Sequence, residues 1–242
     1  MQWSTTSQVN ASQGVAVLIY GGAGEGKTLL CATAPRPVIL SAESGLLSLS
    51  RRNIERVYGV NTPGITYEIP TMEINTVDDL ANAYTWFANP INRARDYFST
   101  ICLDSLSEIA EVVLSNAKKQ VKDPRQAYGE VIEKTTMLVR SFRDLPGFHK
   151  YMAAKMEFSK DEASGANKYQ TAMPGSKLGQ QLPYFFDEVF CLRTSQPQGN
   201  AKGYRYIQTQ PDFQYVAKDR SGVLDEIERP DLSYIFNKIQ EG

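Results

Sequence analysis

VAVLIYGGAGEGKT, residues 15–28, decides the fold. Val15 to Tyr20 is a short apolar run rich in β-branched residues, glycines close it, and a helical pattern starts at Lys27 and reaches Thr33. Periodicity of this kind reads as strand, loop, helix. Inside it, GGAGEGKT (Gly21, Gly22, Ala23, Gly24, Glu25, Gly26, Lys27, Thr28) fits G-x-x-x-x-G-K-[ST], with Gly21, Gly26, Lys27 and Thr28 in the fixed places. Four fixed positions match by accident in roughly one chain in a hundred of this length, and the flanking strand and helix lower that further. The pattern aims successive backbone N–H groups and the positive end of a helix at a phosphate, and glycine lets the phosphate come close. Gly21 through Leu29 is therefore the expected nucleotide-binding segment. Lys27 is placed to reach the β- and γ-phosphates, and the Thr28 hydroxyl to complete the coordination of Mg²⁺. A dinucleotide fingerprint fails, because after Gly22 and Gly24 the third glycine position holds Lys27.

Outward from this segment, residues 37–40 (PVIL), 65–69 (ITYEI) and 100–103 (TICL) read as strands. Thr76-Val-Asp-Asp79 offers a capping box for a helix that runs to Ala88 and stops at Asn89-Pro90. Apolar spacings of three and four predict helices over 105–121 and 125–145, separated by Pro124. Residues 151–155, 188–192 and 204–209 are later strand candidates, and 232–239 a closing helix. Strands alternating with helices over the first 155 residues imply an α/β fold with a largely parallel sheet. The late strands, joined by short links, imply an antiparallel extension. One domain over 1–242 is the expectation, with 1–13 a flexible N-terminus. The polar, Gly/Ser/Ala-rich stretch 157–181 is expected to be a long loop, functional or mobile, since it far exceeds the usual connection length.

Composition narrows the function classes. Of 242 residues, 42% are hydrophobic and 22% charged, as in ordinary globular chains. With 26 basic and 27 acidic side chains the net charge is -1, so no chain-wide positive field draws in polyanions; any polyanion must be held locally. One histidine, His149, excludes His-rich metal sites and leaves imidazole-based nucleophilic catalysis hanging on a single residue. Three widely spaced cysteines among apolar neighbours read as reduced buried thiols, which points to the cytoplasm. No run approaches the roughly 18 apolar residues of a membrane span, and no basic region with a following apolar stretch opens the chain. A soluble protein with no membrane partner is the expectation.

Mg²⁺ beside a phosphate needs a carboxylate at the carboxyl edge of a neighbouring strand. Asp104 ends the TICL run and meets that need, with Ser105 beside it as a hydrogen-bonding partner; a helix N-cap is the alternative role. Asp187 is the competing acid, but it precedes its strand and would lie at the wrong edge. Hydrolysis also needs a group that orients water near the γ-phosphate. Glu43, just beyond PVIL in SAESG, is a candidate, because the strand after such a helix often lies beside the phosphate-loop strand; a solvated loop acid is the alternative. The guanine-reading N-K-x-D motif is absent, since Asn167-Lys168 is followed by Tyr169-Gln170, and ATP is favoured over GTP.

The order GGAGEGKT, then SAESG, then ICLDS resembles the RecA-like P-loop ATPases. The later KLGQQLPYFFDEVFCLR and YVAKDRSG segments resemble phage nucleotide-binding proteins of the Sak single-strand-annealing group, so the likeness covers nearly the whole chain. It implies a RecA-like core, a water-activating role for Glu43, and a metal-site pair in Asp104-Ser105. Lys218-Asp-Arg220 resembles the Lys-x-Arg finger that such ATPases insert into a neighbouring subunit's site, placing positive charge where the γ-phosphoryl oxygens gain charge. Lys155 falls where the family carries a polar γ-phosphate sensor, commonly Asn or Gln, and departs from it. Two loops bind single-stranded DNA in the family, matching here 118–128 and the 157–181 stretch. Lys118, Lys119, Lys122 and Arg125 could neutralise phosphates, and Lys168 and Lys177 add to them; Tyr128 or Tyr169 could stack a base for roughly 1–3 kcal/mol. The same lysines would equally suit a solvated helix end.

These resemblances imply an oligomeric, Mg²⁺-dependent ATPase, ring or filament, that binds single-stranded DNA and promotes annealing or strand exchange, with a single-strand-binding protein as a further partner. An ATP-gated helicase loader or interaction module is the alternative. A small-molecule P-loop kinase fits less well, because the long stretch carries lysines and no arginine for a lid.

Overall fold

The computed structural model describes residues 3, 5, 14–43, 46–121, 123–160, 165–196 and 203–242; the expected flexible segment 1–13 lies outside these apart from two positions. The described strands are β1 (Ala16–Gly21), β2 (Pro37–Ser41), β3 (Thr71–Glu73), β4 (Thr100–Asp104), β5 (His149–Lys160), β6 (Asn167–Ala172), β7 (Glu188–Thr194), β8 (Arg205–Gln208), β9 (Lys218–Asp219) and β10 (Ile227–Glu228). The helices are α1 (Lys27–Leu30), α2 (Arg51–Tyr58), α3 (Val77–Ala88), α4 (Ala94–Tyr97), α5 (Leu106–Gln120), α6 (Pro124–Arg143), α7 (Ser176–Gln181) and α8 (Leu232–Glu241). All strands belong to one sheet of order β10-β8-β7-β1-β5-β4-β2-β3, with β6 paired to β5 and β9 to β7.

The stretch from β7 to β3 is parallel throughout, and β6, β8, β9 and β10 are antiparallel, so the expected parallel core with a late antiparallel extension is present. Its strands read as unbroken apolar runs because both faces are covered. Ala16, Leu18 and Tyr20 of β1 pack on one side with α3, α5 and α6, while Val17 and Ile19 pack on the other with Leu232, Ile235 and Phe236 of α8. The Thr76–Asp79 capping box opens α3, and Asn89 ends it ahead of Pro90. Pro124 opens α6 rather than merely separating two helices, since a first-turn position has no N–H to lose.

Three expectations change. Residues 65–69 join no strand ladder, and the strand beside β2 is Thr71–Glu73. Ile65, Tyr67 and Ile69 share a face as alternation requires, but they pack on Leu29, Ala32 and Ile54. The strand β2 is not beside β1, because β5 and β4 stand between them. The 157–181 stretch is also more ordered than a loop: β5 runs on to Lys160 and pairs with β6, and α7 follows. Its polarity fits a strand pair with a wet outer end, while Met156 and Tyr169 pack on the core and Gln170 and Thr171 are buried. His149 opens β5, stacks on Phe236 at 4.3 Å and accepts the Val15 N–H; burial pushes its pKa down to about 4. All three cysteines are buried and free. Among the described residues no helix is long and apolar enough to cross a membrane.

Candidate nucleotide site

The phosphate loop leaves the carboxyl end of β1 and turns into α1. Gly26 has φ +103°, which favours glycine, and a Cβ there would stand 3.2 Å from the Arg205 side chain. At Gly21 a Cβ would stand 2.7 Å from the Leu192 carbonyl. Glu25 accepts the Gly22 N–H at 2.6 Å and so braces the loop from within. The Lys27 ammonium lies along the loop, donating to the carbonyls of Gly21 and Gly22 at 2.8 and 2.9 Å. Burial pulls its pKa down, opposed by Asp104, Glu25 and Glu43. Tyr151 of β5 donates to the Lys27 carbonyl and ties α1 to the sheet.

Asp104 ends β4 in register with Ser41 of β2, at the same carboxyl edge. It is 2% exposed, and burial pushes its pKa up to about 6, with the Thr28 hydroxyl hydrogen-bonded to it in opposition. Asp187 precedes β7 at the other edge, as its place in the sequence implied. Glu43 follows β2, and its carboxylate accepts the Ser105 hydroxyl at 2.8 Å. Ser105 in turn accepts the Glu108 N–H as the N-cap of α5. It therefore anchors Glu43 in addition to neighbouring Asp104. Lys155 pairs in register with Gly21, and its ammonium meets the Glu108 carboxylate.

These groups share a cleft of about 600 Å³ holding Lys27, Thr28, Glu43, Asp104, Lys155 and Arg205. Glu43 thus arrives although its strand is three places from β1, because β2, β4 and β1 all end at this edge. Arg205 was missed in the sequence. It sits on β8, paired with Thr194 of β7, and only that non-local pairing brings its guanidinium to Gly26. A second cleft of about 650 Å³ continues the first through Gly24, Gly26 and Arg205, and its wall includes Tyr58, Tyr204 and Pro230. The two together give a charged end at the phosphate loop and an end walled by tyrosine rings, which suits a charged tail joined to a flat ring.

The donor set fits a small oxygen-seeking cation. Thr28 and Asp104 line the same cleft as Lys27, and no cluster of three His, Cys, Asp or Glu occurs among the described residues. Phosphate and water would supply the remaining ligands, as Mg²⁺ prefers.

The two finger candidates lie elsewhere. In register Lys218 pairs with Val189, which pairs with Leu18, well below Gly21. Its ammonium donates to the carbonyls of Pro183 and Phe186 and so holds the turn before β7. Arg220 is 61% exposed and pairs with Asp187 at 2.9 Å. Among the DNA candidates, Lys118 of α5 lies over the Tyr128 ring of α6, and Tyr128 borders Gly175 just ahead of Lys177. Lys119 and Arg125 are exposed nearby in sequence, and Lys122 lies outside the described residues. Lys168 and Tyr169 are on β6, and the Tyr169 ring stacks on Tyr215 at 4.8 Å, so it is not free to take a base. Phe158, 58% exposed at the facing position of β5, is the aromatic that projects.

No curated protein matches the sequence. Among solved structures a KaiC-like protein from the hyperthermophilic archaeon Pyrococcus horikoshii OT3 is similar at 18% identity, over 81% of this chain and 77% of that one, with a TM-score of 0.41. The AAA domain family matches residues 13–221, a span that takes in the phosphate loop, Glu43, Asp104 and every strand through β9. The chain belongs to the AAA domain family of P-loop ATPases.

Proposed function

We propose that the protein is an Mg²⁺-dependent ATPase of phage-type DNA recombination with a RecA-like core, which binds single-stranded DNA as a homo-oligomer and promotes annealing or strand exchange. The observation that carries the catalytic part is the meeting of Lys27, Thr28, Glu43 and Asp104 in one cleft. ATP enters with its phosphates on the loop and its base toward Tyr58 and Tyr204. Lys27 leaves its two carbonyls for the β- and γ-phosphates. Thr28 and Asp104 would hold Mg²⁺, which when bound would supply neutralisation of phosphate charge. Glu43, fixed by Ser105, accepts a proton from the attacking water.

Two features support assembly and DNA binding. Arg220 borders a cavity with Ala16, five residues before Gly21, a separation of roughly 17 Å along the strand. From there it can stabilise a γ-phosphoryl group only in another subunit, whereas Lys218, engaged with two carbonyls, serves to position the turn. The β5–β6 hairpin begins at Lys155 inside the cleft and carries Phe158 outward, so nucleotide and strand would share one rigid element. Lys118, Lys119, Arg125, Tyr128 and Lys177 offer the local cations and a stacking ring that a chain of net charge -1 needs.

The test is ATP turnover with and without single-stranded DNA, measured alongside mass in solution. Stimulation by DNA together with assembly is expected. Turnover indifferent to DNA, with no strand binding in ATP and Mg²⁺, would refute the recombination reading. Nucleotide-dependent capture of a protein without DNA binding would replace it with a loader.

A further inference from the structure

At the amino-terminal edge of the sheet, away from the nucleotide cleft, lies a cavity of about 340 Å³. Arg143 and Asp144 at the end of α6, Tyr184, Asp187 ahead of β7, Arg220 after β9 and Ala16 of β1 contribute to its wall. Lys150 is not itself in the wall but sits on the next strand, β5. Ala16 and Lys150 pair in register across β1 and β5, and residues so paired carry their side chains to the same face of a sheet. The Lys150 side chain therefore enters the face on which Ala16 borders the cavity. It is fully buried, and its Nζ has no hydrogen-bond partner among the described residues.

The charges that act on Lys150 are Asp144, Asp187 and Arg143, all in the cavity wall. Burial pulls its pKa down to about 8, so the amine still holds its proton at neutral pH. A buried ammonium without a partner is strongly disfavoured. The neighbouring carboxylates are already engaged. Asp144 accepts two bonds from Arg143, at 2.7 and 3.0 Å, and Asp187 accepts one from Arg220 at 2.9 Å. Three cations, Lys150, Arg143 and Arg220, thus face two carboxylates, leaving one positive charge unmatched around a polar space.

We propose that this cavity binds a small tetrahedral oxyanion of the phosphate class, with Lys150 as its buried anchor and Arg143 and Arg220 at its rim. The cations come from a strand, a helix end and a turn, so they converge from different directions, as the oxygens of a tetrahedral anion require. Arg143 already gives its Nε–Nη2 fork to Asp144 and an Nη1 hydrogen to the Phe185 carbonyl, so it adds charge and its remaining N–H groups, while Arg220, with one bond to Asp187, keeps more donors for phosphate oxygens. A metal cation is excluded by the unmatched positive charge.

The experiment uses the full chain carrying Lys27→Ala, which disables the phosphate loop, and inorganic phosphate as the probe, followed by calorimetry and thermal melting. Saturable binding of phosphate is expected to persist in this background and to raise the melting temperature. Adding Lys150→Met should weaken binding by about tenfold or more, the loss of one charge-assisted hydrogen bond, and adding Arg220→Gln should also weaken it. Because Lys150→Met removes a buried charge, it is expected to melt no lower than its parent without phosphate, so lost binding is separable from lost folding. Phosphate binding absent from Lys27→Ala, or undiminished by Lys150→Met, overturns the proposal and leaves water as the partner of Lys150. Failure of the nucleotide-site reading would show separately, as ATP binding that survives Lys27→Ala.

Discussion

Asp104→Asn is expected to make the protein more stable and inactive at once. Asp104 is 2% exposed, and burial raises its pKa from an ordinary 3.8 to about 6. A shift of about two units at 1.36 kcal/mol each means that ionising Asp104 in the folded state costs about 3 kcal/mol more than in the unfolded chain. Between about pH 4 and pH 6 the folded protein retains a proton that the unfolded chain has released. Stability therefore falls as pH rises through that window, and the loss is complete by about pH 7. Asparagine never ionises, so it avoids the loss, although its amide brings donors that Thr28 and neighbours must satisfy. The variant should exceed the parent by about 1–3 kcal/mol at pH 8 and match it near pH 4. Urea unfolding followed by circular dichroism at the two pH values reads the difference, and titrating groups outside the cleft cancel because both proteins share them. The variant should also hydrolyse no ATP, since the metal-side carboxylate is gone. A variant no more stable than the parent at pH 8, or one whose advantage is the same at both pH values, would show that Asp104 is not held as a strained carboxylate.

Glu43→Gln keeps an oxygen for the Ser105 hydroxyl but cannot take a proton; nucleotide affinity should stay and turnover drop by about 10²–10³. Phosphate release within a few-fold of the parent would remove Glu43 from the reaction. Mixing Arg220→Ala subunits with Lys27→Ala subunits should recover some turnover, because mixed interfaces pair an intact loop with an intact arginine. Absence of recovery where mixed oligomers are shown to form would assign Arg220 to its Asp187 pair alone. Glu188, buried beside Asp219, has its pKa pushed up to about 8. The parent should lose stability relative to Glu188→Gln as pH rises from 5 to 8, the window in which only the folded carboxyl stays protonated; parallel stability curves would contradict this.

The parallel core was legible because its strands are short apolar runs between glycine and proline stops, and burial on both faces leaves that pattern in the chain itself. The phosphate loop was legible because its work is done by backbone N–H groups and one lysine within eight consecutive residues. Helix α2 and strand β6 were not, since RRNIERVY buries only Ile54 and NKYQTA lies in a polar hairpin. The sheet order was hidden too, and with it the reason Glu43 reaches the cleft.

Local sequence by itself determined the phosphate-loop pattern at Gly21 to Thr28 and the place of Asp104 at the end of an apolar strand. Tertiary structure alone decided which distant groups join them. Arg205 reaches Gly26 through the pairing of β8 with β7, Ser105 finds Glu43 across 62 residues, and Lys150 comes to rest within the influence of Asp144, Asp187 and Arg143. The division has a physical cause: a loop that binds through its own backbone is encoded in consecutive residues, whereas a charge's partners and dielectric surroundings exist only once the strands have paired.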